Sequence, residues 1–179
     1  MTEPHPLETD PRWQKLAQRG GLLAMPFAAP DGWPHGPIPP GQKALEVGDD
    51  RLSPAYCALG GHRFLRAVLL LPISGARTVF GFETWGSVSE ESYAAFLAAR
   101  TGGAAFGGCF AWAANALPGF ESGDPIGCNL VPGPPGQLPR LQPHAGTALH
   151  EAQREGITPA RLADIYAAAG TDFEALLGN

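Results

Sequence analysis

His62-Arg63-Phe64-Leu65-Arg66-Ala67-Val68-Leu69-Leu70-Leu71-Pro72 and, a short turn later, Thr78-Val79-Phe80-Gly81-Phe82-Glu83-Thr84-Trp85 decide the fold. In the first run Phe64, Val68 and Leu70 alternate with Leu65, Ala67, Leu69 and Leu71. Both faces turn apolar toward its end, the pattern of a central strand. Pro72 has no N–H to donate and closes the strand. After a turn at Ser74-Gly75, Phe80 and Phe82 point one way while Val79, Glu83 and Trp85 point the other. The spacing therefore predicts an antiparallel hairpin of His62–Leu71 with Thr78–Trp85. Tyr56–Leu59 joins it from upstream through the tight turn Gly60-Gly61.

Working outward, Ser87-Val88-Ser89-Glu90 has the spacing of a capping box, with Ser87 as cap and Ser89 as the alternative. Tyr93, Phe96, Leu97 and Arg100 then fall on one helical face, and Thr101-Gly102-Gly103 stops the helix. Phe106–Trp112 alternates large residues with Gly107, Cys109 and Ala111 and predicts a third long strand. Ile126–Val131 predicts a fourth strand and Gln137–Gln142 a weak fifth. Thr147 caps a helix ending at Gly156, and Thr158-Pro159 starts another carrying Leu162, Ile165, Tyr166 and Ala169. Thr171-Asp172-Phe173-Glu174 repeats the capping spacing before a last turn with Leu176 and Leu177.

Toward the N-terminus, Asp10 and Pro11 open a short helix with Trp13, Leu16 and Ala17 on one face, ended by Gly20-Gly21. Leu22–Asp50 is rich in Pro and Gly and contains Trp33. It is either a loop laid across the domain and anchored by Trp33, or an extended segment offered to a partner. The expectation is thus an α+β fold: an antiparallel sheet of about four to five strands, with helices packed on it and at both ends. Residues 1–50 form the N-terminal helix and extended segment, and residues 51–179 one folding unit.

The 179 residues suit one domain with a real core, since apolar residues make up 44% and charged ones only 16%. The 24 glycines and 19 prolines are dispersed between periodic segments, which predicts many turns rather than a low-complexity chain. A net charge of -5, with Lys15 and Lys43 the only lysines, gives no basic face for nucleic acid. No apolar run is long enough for a bilayer and the first ten residues have no signal-peptide pattern, so no membrane partner and a cytoplasmic location are expected. Cys57, Cys109 and Cys128 are odd in number and widely spaced, which fits a reducing compartment.

Four stretches carry a family resemblance. They are Leu52-Ser53-Pro54-Ala55-Tyr56-Cys57 with His62-Arg63-Phe64-Leu65-Arg66; Trp85-Gly86-Ser87-Val88-Ser89-Glu90; Asn115-Ala116-Leu117-Pro118-Gly119-Phe120; and Glu151-Ala152-Gln153-Arg154-Glu155-Gly156-Ile157-Thr158. In this order, across about residues 50–170, they resemble DUF2199, a bacterial domain family of unknown function. Family members often open with a Cys-x-x-Cys and a nearby His, similar to a zinc ribbon. Residues 1–50 here hold no cysteine, and His5 and His35 do not make a four-ligand site. The resemblance implies a fold and no activity.

No cofactor is expected, because neither a phosphate-binding loop nor a dinucleotide fingerprint occurs. No metal is expected either: Cys57 with His62, and His144 with His150, lack strong ligand spacing. Cys57 or Cys109 beside His62 or His144 would make a cysteine nucleophile only with an activating base. Ser87 and Ser89 lack a nucleophile-elbow context, and Glu83 with Glu90 would serve as acid and base only in a shared cleft. The binding candidates are Trp85, Ser87, Glu90, Trp112, Asn115 and Arg154, with Phe120 beside them. Aromatics with small neighbours suit a recognition face, although both tryptophans also suit a core. The expected function is a non-catalytic protein-binding or accessory domain with a protein partner. The alternative is a small-molecule binder or small enzyme with a pocket at the strand-to-helix junction Trp85–Glu90.

Overall fold

The computed structural model describes residues 9–18 and 23–172, with strands β1 (Ala24–Pro26), β2 (Leu45–Val47), β3 (Asp50–Leu52), β4 (Tyr56–Leu59), β5 (His62–Pro72), β6 (Val79–Val88), β7 (Cys109–Ala113), β8 (Gly127–Val131) and β9 (Arg140–Pro143). Helices are α1 (Pro11–Gln18), α2 (Glu90–Arg100), α3 (Ala148–Glu155) and α4 (Pro159–Ala168). The ends expected at Gly20-Gly21 and beyond Asp172 lie outside the described residues. Among the described residues, no helix is long and apolar enough to cross a membrane.

Strands and helices share one α+β architecture, and the hairpin is its axis: β5 pairs with β6 in unbroken register from Arg63↔Val88 to Pro72↔Val79. The sheet itself corrects the expectation. Among the described residues it has nine strands rather than four to five, and it is mixed, because β1 runs parallel to β6 and β9 parallel to β5. Strands β5, β6, β7, β8 and β9 close on themselves as a five-stranded barrel. The closing contact is Val68 opposite Arg140, with the Val68 N–H donating to the Pro139 carbonyl at 2.9 Å. Within the barrel, closure consumes the edges that an open sheet would leave unpaired, and β1 and β2 form the ends of the sheet.

Both long strands have one edge wholly occupied by the other. The opposite edge of β5 is divided between β4 at residues 62–65 and β9 near Val68. That of β6 is divided between β1 at residues 81–83 and β7 at residues 86–87.

The two sheet faces bury different cores. Leu65, Ala67, Leu69, Leu71, Phe80 and Phe82 join Ala111, Leu130, Leu141 and the helical residues Tyr93, Phe96, Leu149, Leu162 and Ile165 in the main one. On the opposite face, Leu52, Cys57, Phe64 and Trp85 form a second core beneath Phe27, Ala29, Trp33 and Ile38 of the Pro/Gly-rich segment. That segment is a belt, and it contributes β1, β2 and the first residue of β3.

Two local expectations shift. Ser87 lies inside β6, which runs to Val88, and the cap of α2 is Ser89, whose hydroxyl accepts from the Ser92 N–H. The third strand starts at Cys109 instead of Phe106. Thr147 and Thr158 cap α3 and α4 as the sequence predicts.

Candidate functional site

Strand β7 alternates Cys109 and Ala111, turned toward the main core, with Phe110 and Trp112, turned outward. Phe110 is 46% and Trp112 47% exposed, while Trp85 is completely buried. The two outward rings pack edge to face with centroids 5.0 Å apart. Register then sets their neighbours. Phe110 lies opposite Asn129, and Asn129 opposite Gln142. Trp112 lies opposite Gly127, whose carbonyl accepts from the His144 N–H at 2.9 Å.

Gly127 allows these rings to meet. A Cβ there would stand 3.1 Å from His144 Nδ1 and 3.4 Å from the Phe110 ring. Without it, the Phe110 and His144 rings close to 5.6 Å over the backbone. His144 Nε2 bonds Asn129 Oδ1 at 3.0 Å. The aromatic pair thus leads, through His144, into a groove between β9 and α3.

The groove has a volume of about 510 Å³ and is lined by Asn129, Gln142, Pro143, His144, Ala145, His150, Gln153 and Arg154. His150 Nδ1–H donates to the Pro143 carbonyl at 2.9 Å, and Gln153 Nε2 donates to the Leu141 carbonyl at 3.0 Å. Arg154 projects into solvent and donates to Glu155 at 2.7 Å, which holds its guanidinium protonated even more firmly than usual. Of the sequence candidates, Trp112 and Arg154 are brought to one surface. Phe110, Asn129, Gln142 and Gln153 were not singled out by sequence, although the Phe110/Trp112 alternation was visible there.

Of the remaining candidates, Ser87 adjoins this surface and the others sit elsewhere. Trp85 donates its indole N–H to the Phe27 carbonyl at 3.0 Å under the belt. Asn115 is buried and uses its whole amide: Oδ1 accepts from the Thr84 hydroxyl and the Trp85 N–H, and Nδ2 donates to the Ala29 carbonyl and Asp31 Oδ1. Asp31 Oδ2 accepts from the Ala116 N–H at 2.7 Å, completing the clasp between belt and barrel. Ser87 is half-buried opposite Trp112. Glu90 is exposed and pairs with Arg63 at 2.8 Å, whereas Glu83 pairs with Arg66 at 2.9 Å. The two carboxylates therefore answer to different arginines. Phe120 is buried, with the Arg161 guanidinium 4.8 Å over its ring.

The thiols have poor nucleophile chemistry. Burial pushes Cys57 and Cys128 up to about 12. It also raises Cys109, against the opposing hydrogen bond from Ser92. A thiol held protonated attacks slowly. Among the described residues, no group of three or more His, Cys, Asp or Glu gathers to hold a metal ion.

The family model described as "Uncharacterized protein conserved in bacteria (DUF2199)" matches residues 17–157, a span that takes in the belt as well as the barrel. Comparison with curated proteins and with solved structures finds no match.

Proposed function

The chain belongs to the bacterial DUF2199 family, and from that premise we propose that it is a non-catalytic protein-binding domain whose docking face is the outer surface of β7, β8 and β9. One observation carries the reading: Phe110 and Trp112 stand half exposed and in mutual contact on a protein that buries Trp85, Phe64, Phe80, Phe82 and Phe96. Paired aromatics at the centre of a polar rim are the usual anchors of a protein interface. Asn129, Gln142 and His144 supply that rim. The occupant is an extended segment of a partner protein, laid along the face with its side chains between the rings and the groove.

Raised thiols and separated carboxylates support a binding role over catalysis. At the junction that would serve the alternative, a small-molecule or enzymatic pocket at Trp85–Glu90, Trp85 is sealed and Glu90 is spent on an exposed ion pair. The same reading divides the chain into an N-terminal helix and Pro/Gly-rich segment over residues 1–50, of which residues 23–50 form the belt, and one folding unit over residues 51–179. It places the chain in the cytoplasm, consistent with three unpaired cysteines.

The test is selection of a random-peptide library on the immobilised full chain. Retained peptides should bind Trp112→Ala at least about ten-fold more weakly than wild type, as expected for an aromatic anchor. Equal retention by wild type and Trp112→Ala, or no retained peptide, would defeat the reading.

A further inference from the structure

Charge is distributed unevenly around α3. The chain carries a net charge of -5. Yet the lining of the groove between β9 and α3 contains one arginine, two histidines and three amides, and no carboxylate. A second depression along the same helix is lined by Glu151 and Glu155 with Arg161. The groove's own lining thus carries no carboxylate, although Glu155 of the second depression reaches Arg154 at 2.7 Å.

The hydrogen-bond inventory gives the hollow a sign. Asn129 has its oxygen occupied by His144, which leaves its amino group to donate. Gln153 spends one amide hydrogen on the Leu141 carbonyl and keeps the other. Arg154 gives one nitrogen to Glu155 and retains its remaining donors. That Arg154–Glu155 pair is exposed at both ends, so exchanging it for another carboxylate costs little. His144, His150 and Gln153 are each tied by a hydrogen bond, so three of the groove's walls are held in place before any ligand arrives.

Free donors around one guanidinium call for an anion of single charge. A carboxylate matches the guanidinium fork, whereas a doubly charged phosphate is usually met by a cluster of cations. The donors come from side chains rather than from a run of backbone N–H groups, which is the device that captures chain termini. We propose that the groove between β9 and α3 is a carboxylate subsite, taking an Asp or Glu side chain of the partner segment that lies on Phe110 and Trp112. This rests on the docking reading, and His144 is the physical link, since it both packs on Phe110 and lines the groove.

The probe is N-acetylglutamate α-amide, titrated into the 15N-labelled full chain and followed by NMR, with N-acetylglutamine α-amide and inorganic phosphate alongside. The glutamate probe should move the side-chain amide signals of Asn129, Gln142 and Gln153. Binding should weaken about ten-fold or more for the glutamine probe and for the exposed substitution Arg154→Gln. Equal binding of the two amides, silence in the groove signals, or phosphate binding more tightly than glutamate overturns the proposal. Trp112 does not line the groove, so Trp112→Ala should leave this titration unchanged while weakening peptide retention about ten-fold, which separates the two readings. Retained peptides without acidic residues defeat the carboxylate subsite alone. Groove binding with an empty library selection defeats the docking reading, and with it the partner as the source of the carboxylate.

Discussion

Asn115 shows how one side chain fixes the relation of belt to barrel. Its oxygen reads β6 at Thr84 and Trp85, and its nitrogen reads the belt at Ala29 and Asp31. A buried amide with every position filled is costly to remove, because the partners left behind are desolvated and unpaired. Asn115→Ala should lower stability by about 3 kcal/mol. The shift of the urea unfolding midpoint at constant slope measures it. Asp50 has a related role at the other end of the belt, accepting from the Gly60 N–H at 2.8 Å and pairing with His35 at 2.7 Å. The Gly60 bond first, and His35 second, hold its carboxyl below the usual aspartate value. A depressed carboxyl contributes stability above its unfolded value of about 4, and that contribution drains away as pH falls through the lower folded value. Asp50→Asn should therefore flatten the acid limb of stability against pH. An acid limb identical to wild type would show that Asp50 contributes nothing there.

At the scale of elements, the docking face depends on register as much as on residue identity. Gly127→Ala would push a methyl group between Phe110 and His144. Both obstructing groups are side chains at the surface, so the fold should lose less than about 1 kcal/mol. Retained peptides, however, should bind several-fold more weakly, and parallel melting curves and binding isotherms would separate the two effects. The hairpin was legible in sequence because the alternation of Phe64 to Leu71 and of Phe80 to Trp85 is local. Strands β1 and β2 were not, since Ala24-Met25-Pro26 and Leu45-Glu46-Val47 are too short to show a period. Their pairing is decided by contacts far away in the chain. The site was legible in part. Trp112 and Arg154 stood out as residue types, but the row Phe110–Asn129–Gln142 exists only once β7, β8 and β9 are in register. Trp85 carries the same sequence signal as Trp112 and has the opposite fate, because Phe27 and Trp33 of the belt cover it.

For the whole molecule, the divided outer edges of β5 and β6 have a kinetic consequence. The pairing of β5 with β6 closes a short loop, so its entropic cost is small and it can form early. The closures that tie belt and barrel to this hairpin span far more chain: β1 reaches β6 across residues 27–78, and β9 reaches β5 across residues 73–139. Each long strand must accept two partners on one edge, one that precedes the hairpin in the chain and one that follows it. The hairpin is then the nucleus on which belt and barrel assemble as separate late events. Conservative truncations at Leu69 and Phe82 should give φ-values above about 0.5, and truncations at Met25 and Leu141 values below about 0.3. Chevron analysis of these four variants would test the order. Truncations in the belt and at the barrel closure should then mainly speed loss of the native state, whereas truncations in the hairpin should mainly slow its formation.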